Sequence, residues 1–356
     1  MIGEIHAFGT KEDLDNWKVK KENSVSVTPE FANVTYDQPF KNVFSIKRIL
    51  AVVIKETIEL YQYCSVDEIV DLIESIAAGA SSSKNADDKI ILTESSVKGE
   101  GTVKFDIIVK VGVPMYLIEE VGCKYVQIRL NLEMQQDPTP GYPLTYRGLY
   151  YGSRLISDQI AKVNEDTNYG VLVPVYSIWI TLVGKTTDAA NSVLRYQLRN
   201  TGSSIKEREN SFIGRMDKVT DLLNIYLICI DKSILETKEV EDGLDDAVEF
   251  ISLLFAGKFN DNRMDSHDIK FQNVVKTYGE EIKSMAKYYS DVDRMVMAGE
   301  ARGRAEGRAE GEVFGVIRAF LNLGYDKSEI ISTVAKEFSL TSDAAANYLT
   351  EYYARR

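Results

Sequence analysis

Apolar residues recur at three- and four-residue steps in the first segment of this chain that has a clear period. The steps run from Phe40 to Tyr63 and predict one amphipathic helix. A capping box, formed by Ser65 and Glu68, then predicts the start of a second helix. The composition of residues 79–88 (GASSSKNADD) is typical of a loop.

Short runs with strand character follow this loop. The first three are residues 89–95, 102–111 and 125–134. In the third run apolar and polar residues alternate almost strictly, which predicts a strand with one buried face and with Glu133 on its polar face. Beyond a Pro/Gly turn, the pattern predicts a helix at 144–163 and strands at 169–183 and 221–230. The order helix, strand, strand, strand, helix, strand predicts an α/β fold.

The rest of the chain is predicted to be helical. Residues 300–311 (EARGRAEGRAEG) are a low-complexity repeat, typical of a flexible or helical connector, and two amphipathic helical patterns follow, the first ended by Gly324. We therefore predict five segments: an N-terminal arm at 1–36, a core at 37–235, a helical extension at 236–299, a connector at 300–312 and a C-terminal helical segment at 313–356.

The two C-terminal patterns have apolar faces that roughly 40 residues can hardly bury alone. Those faces need a partner, which is either the helical extension of the same chain or the same segment of another copy. We favour a homodimer through the C-terminal helices, because an isologous contact is the commonest way to close such a surface. The alternative is a tail that docks on its own core.

Composition limits the chemistry. A formal net charge of −12 argues against a protein that coats nucleic acid non-specifically, although it leaves room for a local basic groove. No apolar run reaches the ~18 residues of a membrane span, and the first residues lack a signal-peptide pattern, so we expect a cytoplasmic protein. With three cysteines, none in CxxC spacing, and only two histidines, acid–base or metal chemistry would rest on carboxylates.

Two carboxylates interrupt apolar strands. Asp106 and Glu133 lie in neighbouring predicted strands, and strands about 5 Å apart can place two carboxylates on one cation. Mg²⁺ prefers oxygen ligands and keeps several waters, so two protein carboxylates suffice. Gln135 lies on the same face as Glu133 and can orient a water, but it cannot supply a lysine's charge. The alternative is that these carboxylates are merely solvated.

Five stretches also occur in the order of motifs that belong to one protein family. They are residues 37–44 (DQPFKNVF), 105–107 (FDI), 131–135 (NLEMQ), 147–159 (RGLYYGSRLISDQ) and 169–178 (YGVLVPVYSI). Together they resemble the PD-(D/E)xK nuclease family transposases, the group that includes the recombination-promoting nucleases of bacteria. Gln135 stands where the family signature has lysine.

This resemblance implies a restriction-endonuclease-like αβββαβ core and hydrolysis of DNA phosphodiester bonds that depends on Mg²⁺ or Mn²⁺. It also implies a bacterial cytoplasmic setting and a link to mobile elements or recombination. Asp106 and Glu133 match the metal-binding and catalytic carboxylates, and Gln135 matches the third catalytic position. The candidate phosphate-binding residues are Arg147, Lys41 and Asp37.

Other matched residues have plainer interpretations. Gln159 is expected to brace the site, and Tyr150 and Tyr151 are expected to lie in the core rather than to stack on bases. Two rival functions remain open: a catalytically inactive DNA-binding or assembly protein on the same fold, and an accessory protein that acts through C-terminal oligomerisation.

Overall fold

The computed structural model describes residues 38–74, 94–97, 101–119, 126–138, 140–161, 169–197 and 222–355. The predicted N-terminal arm, Asp37 and the predicted strand up to residue 93 lie outside the described residues. The chain divides into two compact units, Met1–Ala286 and Lys287–Arg356.

The described helices are α1 (Gln38–Phe44), α2 (Lys47–Thr57), α3 (Val66–Leu72), α4 (Met115–Glu119), α5 (Leu144–Ala161), α6 (Ile234–Thr237), α7 (Asp246–Ala256), α8 (Met264–His267), α9 (Phe271–Asn322), α10 (Lys327–Glu337) and α11 (Ser342–Ala354). The described strands are β1 (Ile73–Glu74), β2 (Glu94–Val97), β3 (Gly101–Lys104), β4 (Ile107–Gly112), β5 (Gln127–Gln135), β6 (Val175–Val183), β7 (Ser192–Gln197) and β8 (Leu223–Asp231). None of these helices is long and apolar enough to cross a membrane.

A six-stranded mixed sheet, in the order β1-β4-β5-β6-β8-β7, forms the centre of the first unit. The middle strands β5, β6 and β8 are parallel, while β4 and β7 run antiparallel to their neighbours. Parallel strands are covered on both faces, and the nearly continuous apolar runs of β6 and β8 are buried as this requires. The α/β class predicted from the element order is confirmed.

The polar face of β5 is buried, so the prediction of a half-exposed strand is wrong. Arg129 is 8% exposed, Asn131 0% and Glu133 3%. Arg129 donates to Asp158 of α5 across 2.6 Å, which gives its buried charge a partner. Alternation therefore marks two chemically different buried faces here, and Glu133 lies on the polar one.

Two predicted elements are broken in the structure. The single helix from Phe40 to Tyr63 is wrong, because Ile46 has extended backbone and separates α1 from α2. The break turns α1 onto the core, where Phe44 lies against Phe255 with ring centroids 6.4 Å apart. The predicted strand at 102–111 is likewise divided into β3 and β4, and Asp106 lies in the gap.

Two glycines let α5 lie close to the sheet. A Cβ on Gly148 would be 2.8 Å from Ile225 Cγ2 and 3.2 Å from Trp179 Nε1, and a Cβ on Gly152 would be 2.4 Å from Leu223 Cδ1. Such distances are shorter than van der Waals contact, so a larger residue at either position would require these neighbouring side chains, or α5 itself, to shift. This short distance between α5 and the sheet determines how far the other α5 side chains lie from β5 and β6.

Gly148→Val is expected to lower the free energy of unfolding by about 1–3 kcal/mol, the usual cost of overpacking a filled core. Gly303 of α9 is a matched control, since a Cβ at that position would have no atom within 4 Å and the same change there should stay within about 0.5 kcal/mol. Thermal and urea denaturation of both variants provide the measurement. Equal stabilities for the two variants would contradict the close approach of α5.

The second unit buries its apolar faces among its own helices. Val313 and Ile317 of α9 contact a cluster that includes Ile330 and Val334 of α10 and Leu349 of α11. The sequence predicted two helical patterns in this region, and the structure has the end of α9 and two further helices. The premise of the homodimer prediction, that these faces lack a partner within the segment, is therefore wrong.

Local signals in this unit are borne out. Gly324 has a φ of +83° and follows α9, and the amide of Tyr325 donates to the carbonyl of Phe320, as in a glycine-terminated helix. Residues 300–312, the predicted connector, lie within α9 as continuous helix.

Candidate active site

Asp106 and Glu133 come together where β4 begins beside the end of β5. The antiparallel register sets Ile107 opposite Leu132, so the residue before β4 lies beside Glu133. The Asp106 amide donates to Glu133 Oε1 across 3.1 Å, and the Met134 amide donates to Asp106 Oδ2 across 2.9 Å. The side chains of the two acids thus replace backbone-to-backbone hydrogen bonds at this point. These side-chain bonds hold both carboxylates where β4 begins and β5 nears its end.

Burial makes the ionised form of Glu133 costly. Desolvation, followed by the negative charge of Asp106, raises the pKa of Glu133 well above its usual range. Hydrogen bonds from the Asp106 amide and the Asn131 side chain, and the positive charge of Arg147, act in the opposite direction and are weaker. The pair consequently favours a proton or a cation between its oxygens.

Lys41 brings a positive charge from α1 to this pair. Its Nζ lies 3.2 Å from Asp106 Oδ1, and its side chain is 26% exposed while that of Asp106 is 8% exposed. The sequence suggested Lys41 only as a candidate phosphate ligand, and the structure places it against a predicted metal ligand. A lysine ammonium is therefore present at the site although residue 135 is glutamine.

Gln135 is held by Arg147 of α5. Arg147 donates to Gln135 Oε1 across 2.6 Å, which leaves the Gln135 amide nitrogen as a donor. A lysine at position 135 would place a second cation against the Arg147 guanidinium, and like charges at that distance repel. The neutral side chain of Gln135 thus avoids charge repulsion with Arg147.

Arg147 is itself held by aromatic rings. Its Cζ lies 5.4 Å from the Tyr151 ring centroid and 5.3 Å from that of Trp179, and it donates to the Tyr151 hydroxyl across 3.3 Å. Sequence reasoning missed Trp179 and Asn131 as part of the site. The available signals were a tryptophan at the centre of the apolar strand β6, and an asparagine two residues before Glu133 on the same face of β5.

The remaining candidates have structural partners or different surroundings. Gln159 exchanges two hydrogen bonds with the Val173 backbone, at 2.9 and 3.1 Å, and so braces the chain that leads into β6. Tyr151 is half-buried, but Tyr150 is 53% exposed, so its expected place in the core is wrong. Glu56, on α2, has its Oε1 3.3 Å from Nδ1 of the buried His267.

The donor set suits a divalent cation. Asp106 and Glu133 offer carboxylate oxygens, the ligand type that Mg²⁺ prefers, and both of the Glu133 hydrogen bonds within the described residues go to Oε1, which leaves Oε2 available. Within the part of the chain that the structure describes, no cluster of three or more His, Cys, Asp or Glu side chains forms a metal cage. Two protein carboxylates plus water and substrate oxygens are the arrangement that these residues can support.

Comparisons of the chain with protein-family models, with curated proteins and with solved structures return no match.

Proposed function

We propose that this protein is a Mg²⁺-dependent DNA endonuclease of the PD-(D/E)xK type, built on a restriction-endonuclease-like sheet. The observation that carries the proposal is the buried Asp106–Glu133 pair, whose mutual repulsion favours a bound cation. The sequence motifs that resemble the nuclease family transposases contain both residues, and the pair lies at the edge of the sheet where β5 ends. Mn²⁺ would serve the same ligands.

Asp106 and Glu133 would hold the metal ion, which supplies positive charge to the scissile phosphate and acidifies the attacking water. Lys41 adds a second positive charge beside Asp106, where negative charge develops on the phosphate oxygens. Gln135 offers its amide N–H groups to the water or to a phosphate oxygen. Arg147 is a positioning residue, because it fixes the Gln135 carbonyl oxygen and is held by Tyr151 and Trp179.

The proposal is tested with supercoiled plasmid and purified full-length protein. Mg²⁺ or Mn²⁺ should convert the plasmid to open circles, and EDTA should stop the reaction. Asp106→Asn, purified in the same way, removes one of the two carboxylates and should lose about 99% of the rate or more, a loss in the range found for removal of one main stabilising group. Equal nicking by this variant would assign the activity to a contaminant and overturn the proposal.

The rival function gives a different result in the same experiment. A catalytically inactive DNA-binding or assembly protein would bind the plasmid and single-stranded DNA without cleaving either of them in either metal. The Lys41 ammonium beside Asp106 is the feature that favours the enzyme, since it replaces the charge that glutamine at 135 lacks.

A further inference from the structure

The outer face of α5 carries exposed tyrosines beside the candidate active site. Tyr146 is 67% exposed and Tyr150 is 53% exposed, and Tyr142, just before the helix, is 42% exposed. The four-residue spacing of Tyr146 and Tyr150 places their rings on one side of the helix, about 6 Å apart along its axis. Leu149, 48% exposed, lies to one side of these rings on the helix surface and extends the exposed apolar area.

This face is continuous with the site. Arg147 and Tyr151 lie on the flank of the helix between the buried glycines and the exposed tyrosines, and Arg147 reaches Gln135. The Tyr150 and Tyr151 rings meet edge to face, with centroids 6.1 Å apart. A DNA strand bound at Lys41 and Gln135 would therefore continue directly onto the exposed tyrosines of α5.

Charge decides which kind of nucleic acid suits such a face. Binding along a duplex depends on many phosphate contacts from Lys and Arg, which a net charge of −12 disfavours, and the large exposed side chains of this face are aromatic or apolar instead. Stacking of bases on aromatic rings adds affinity beyond the phosphate contacts and tolerates any sequence. Stacking requires unpaired bases, because the faces of paired bases inside a duplex are covered by their neighbours.

We propose that the face formed by Tyr146 and Tyr150 binds unpaired bases, so that the substrate is single-stranded DNA or a duplex with a single-stranded flap or gap beside the scissile phosphate. This inference rests on the proposed nuclease function, because that function places the scissile phosphate at Asp106 and Glu133 and so directs the DNA strand from there to the tyrosines. The rings receive the bases next to the cleavage point, and Lys41 with the metal pair receives the phosphate.

The experiment measures binding and cleavage separately, with the full-length protein. A fluorescein-labelled oligonucleotide, single-stranded or annealed to its complement, is titrated in EDTA, where no cleavage occurs, and anisotropy gives the Kd. The double variant Tyr146→Ala/Tyr150→Ala is expected to weaken single-strand binding by about tenfold or more, the scale for loss of one or two stacked bases. Tyr146→Phe/Tyr150→Phe keeps the rings and should bind like the unmodified protein.

A remote exposed tyrosine provides the matched control. Tyr63 is 83% exposed and lies in the segment before α3, so Tyr63→Ala should not change the Kd. Equal single-strand affinity for the double alanine variant and the unmodified protein would overturn the inference, as would equal affinity for duplex and single strand. Absence of DNA binding would also overturn it, and would leave the face to a protein partner.

Failure of the proposed function has a distinct outcome. If the tyrosine-dependent affinity for single strands is found but Mg²⁺ produces no cleavage of any DNA, the stacking face stands and the nuclease assignment falls. If Mg²⁺-dependent cleavage is found with unchanged rates on single-stranded DNA for the double alanine variant, the nuclease stands and the stacking face falls.

Discussion

Glu133→Gln is expected to abolish Mg²⁺-dependent cleavage and, in the absence of metal, to make the protein more heat-stable at neutral and alkaline pH. The glutamine carbonyl can keep the hydrogen bonds that Glu133 Oε1 accepts from the Asp106 amide and from Asn131. Its amide group can donate toward the Asp106 carboxylate instead of repelling it. The variant therefore removes a buried negative charge while it preserves shape, and it also removes a metal ligand.

The pH dependence follows from the direction of the pKa shift. Because burial and Asp106 raise the pKa of Glu133 in the folded state, folding favours its protonated form. The stability that this gives is fully present below the ordinary glutamate pKa of about 4.3 and is lost as pH rises through the raised pKa. The metal-free protein should thus lose stability relative to Glu133→Gln as pH rises, and Mg²⁺, which binds the ionised pair, should restore it.

Thermal melting at several pH values, with Mg²⁺ and with EDTA, measures this effect. Each kcal/mol corresponds to a shift in Tm of about 2–4 °C for a unit of this size. Glu236→Gln, at an exposed position in α6, is the control for loss of a surface carboxylate and should change neither Tm nor cleavage. A Glu133→Gln protein that melts below the unmodified one at alkaline pH, or that gains the same Tm from Mg²⁺, would remove Glu133 from the metal site.

Lys41→Met is expected to lower the cleavage rate by about 10²–10³-fold, while the protein still binds Mg²⁺ at least as tightly as before. The Nζ of Lys41 lies 3.2 Å from Asp106 Oδ1, so in the metal-free protein the lysine competes with a cation for that oxygen. Its loss cannot weaken the ligand set. Its charge beside the phosphate is lost, however, and one preorganised group that stabilises transition-state charge contributes a factor of this size.

Cleavage rates and Mn²⁺ titration calorimetry separate the two effects. Lys41→Arg keeps a cation and should recover part of the rate, and Lys55→Met in α2 is the control for removal of a lysine from the same helical layer. An unchanged cleavage rate in Lys41→Met would show that the ion pair between Lys41 and Asp106 has only a structural role. A parallel loss of rate and metal affinity would show instead that Lys41 is needed to form the carboxylate pair.

Local signals in the sequence determined most of the elements of the core. The apolar runs of β6 and β8, the helix α5 and the capping box of Ser65 with Glu68 were all predicted, because each depends on neighbouring residues and on burial of one stretch of chain. The adjacency of Asp106 and Glu133 was also predictable, since both interrupt strands that follow one another along the chain. The sequence likewise predicted the left-handed glycine at Gly324 that follows α9.

Contacts distant in sequence decided the rest. Three features depend on residues from separate elements. They are the break at Ile46, the burial of the β5 polar face by Asp158 and its neighbours, and the hydrogen bond that Arg147 donates to Gln135. Periodicity cannot show them, because it records which residues avoid water and not which partner covers them. Tyr150 shows the same limit, since an aromatic residue in a helix has the same local pattern whether the sheet or the solvent faces it.

By itself, the sequence determined the α/β order of elements, the acid pair and the glutamine two residues beyond Glu133. Only the tertiary structure decided that Lys41 supplies a positive charge beside Asp106, that both carboxylates are buried, and that a row of tyrosines stands exposed beside them. The physical reason is that charge and burial at a site depend on how helices are laid over the sheet. Here α1 brings Lys41 to Asp106, and the close approach of α5, permitted by Gly148 and Gly152, sets the positions of Arg147 and the tyrosines.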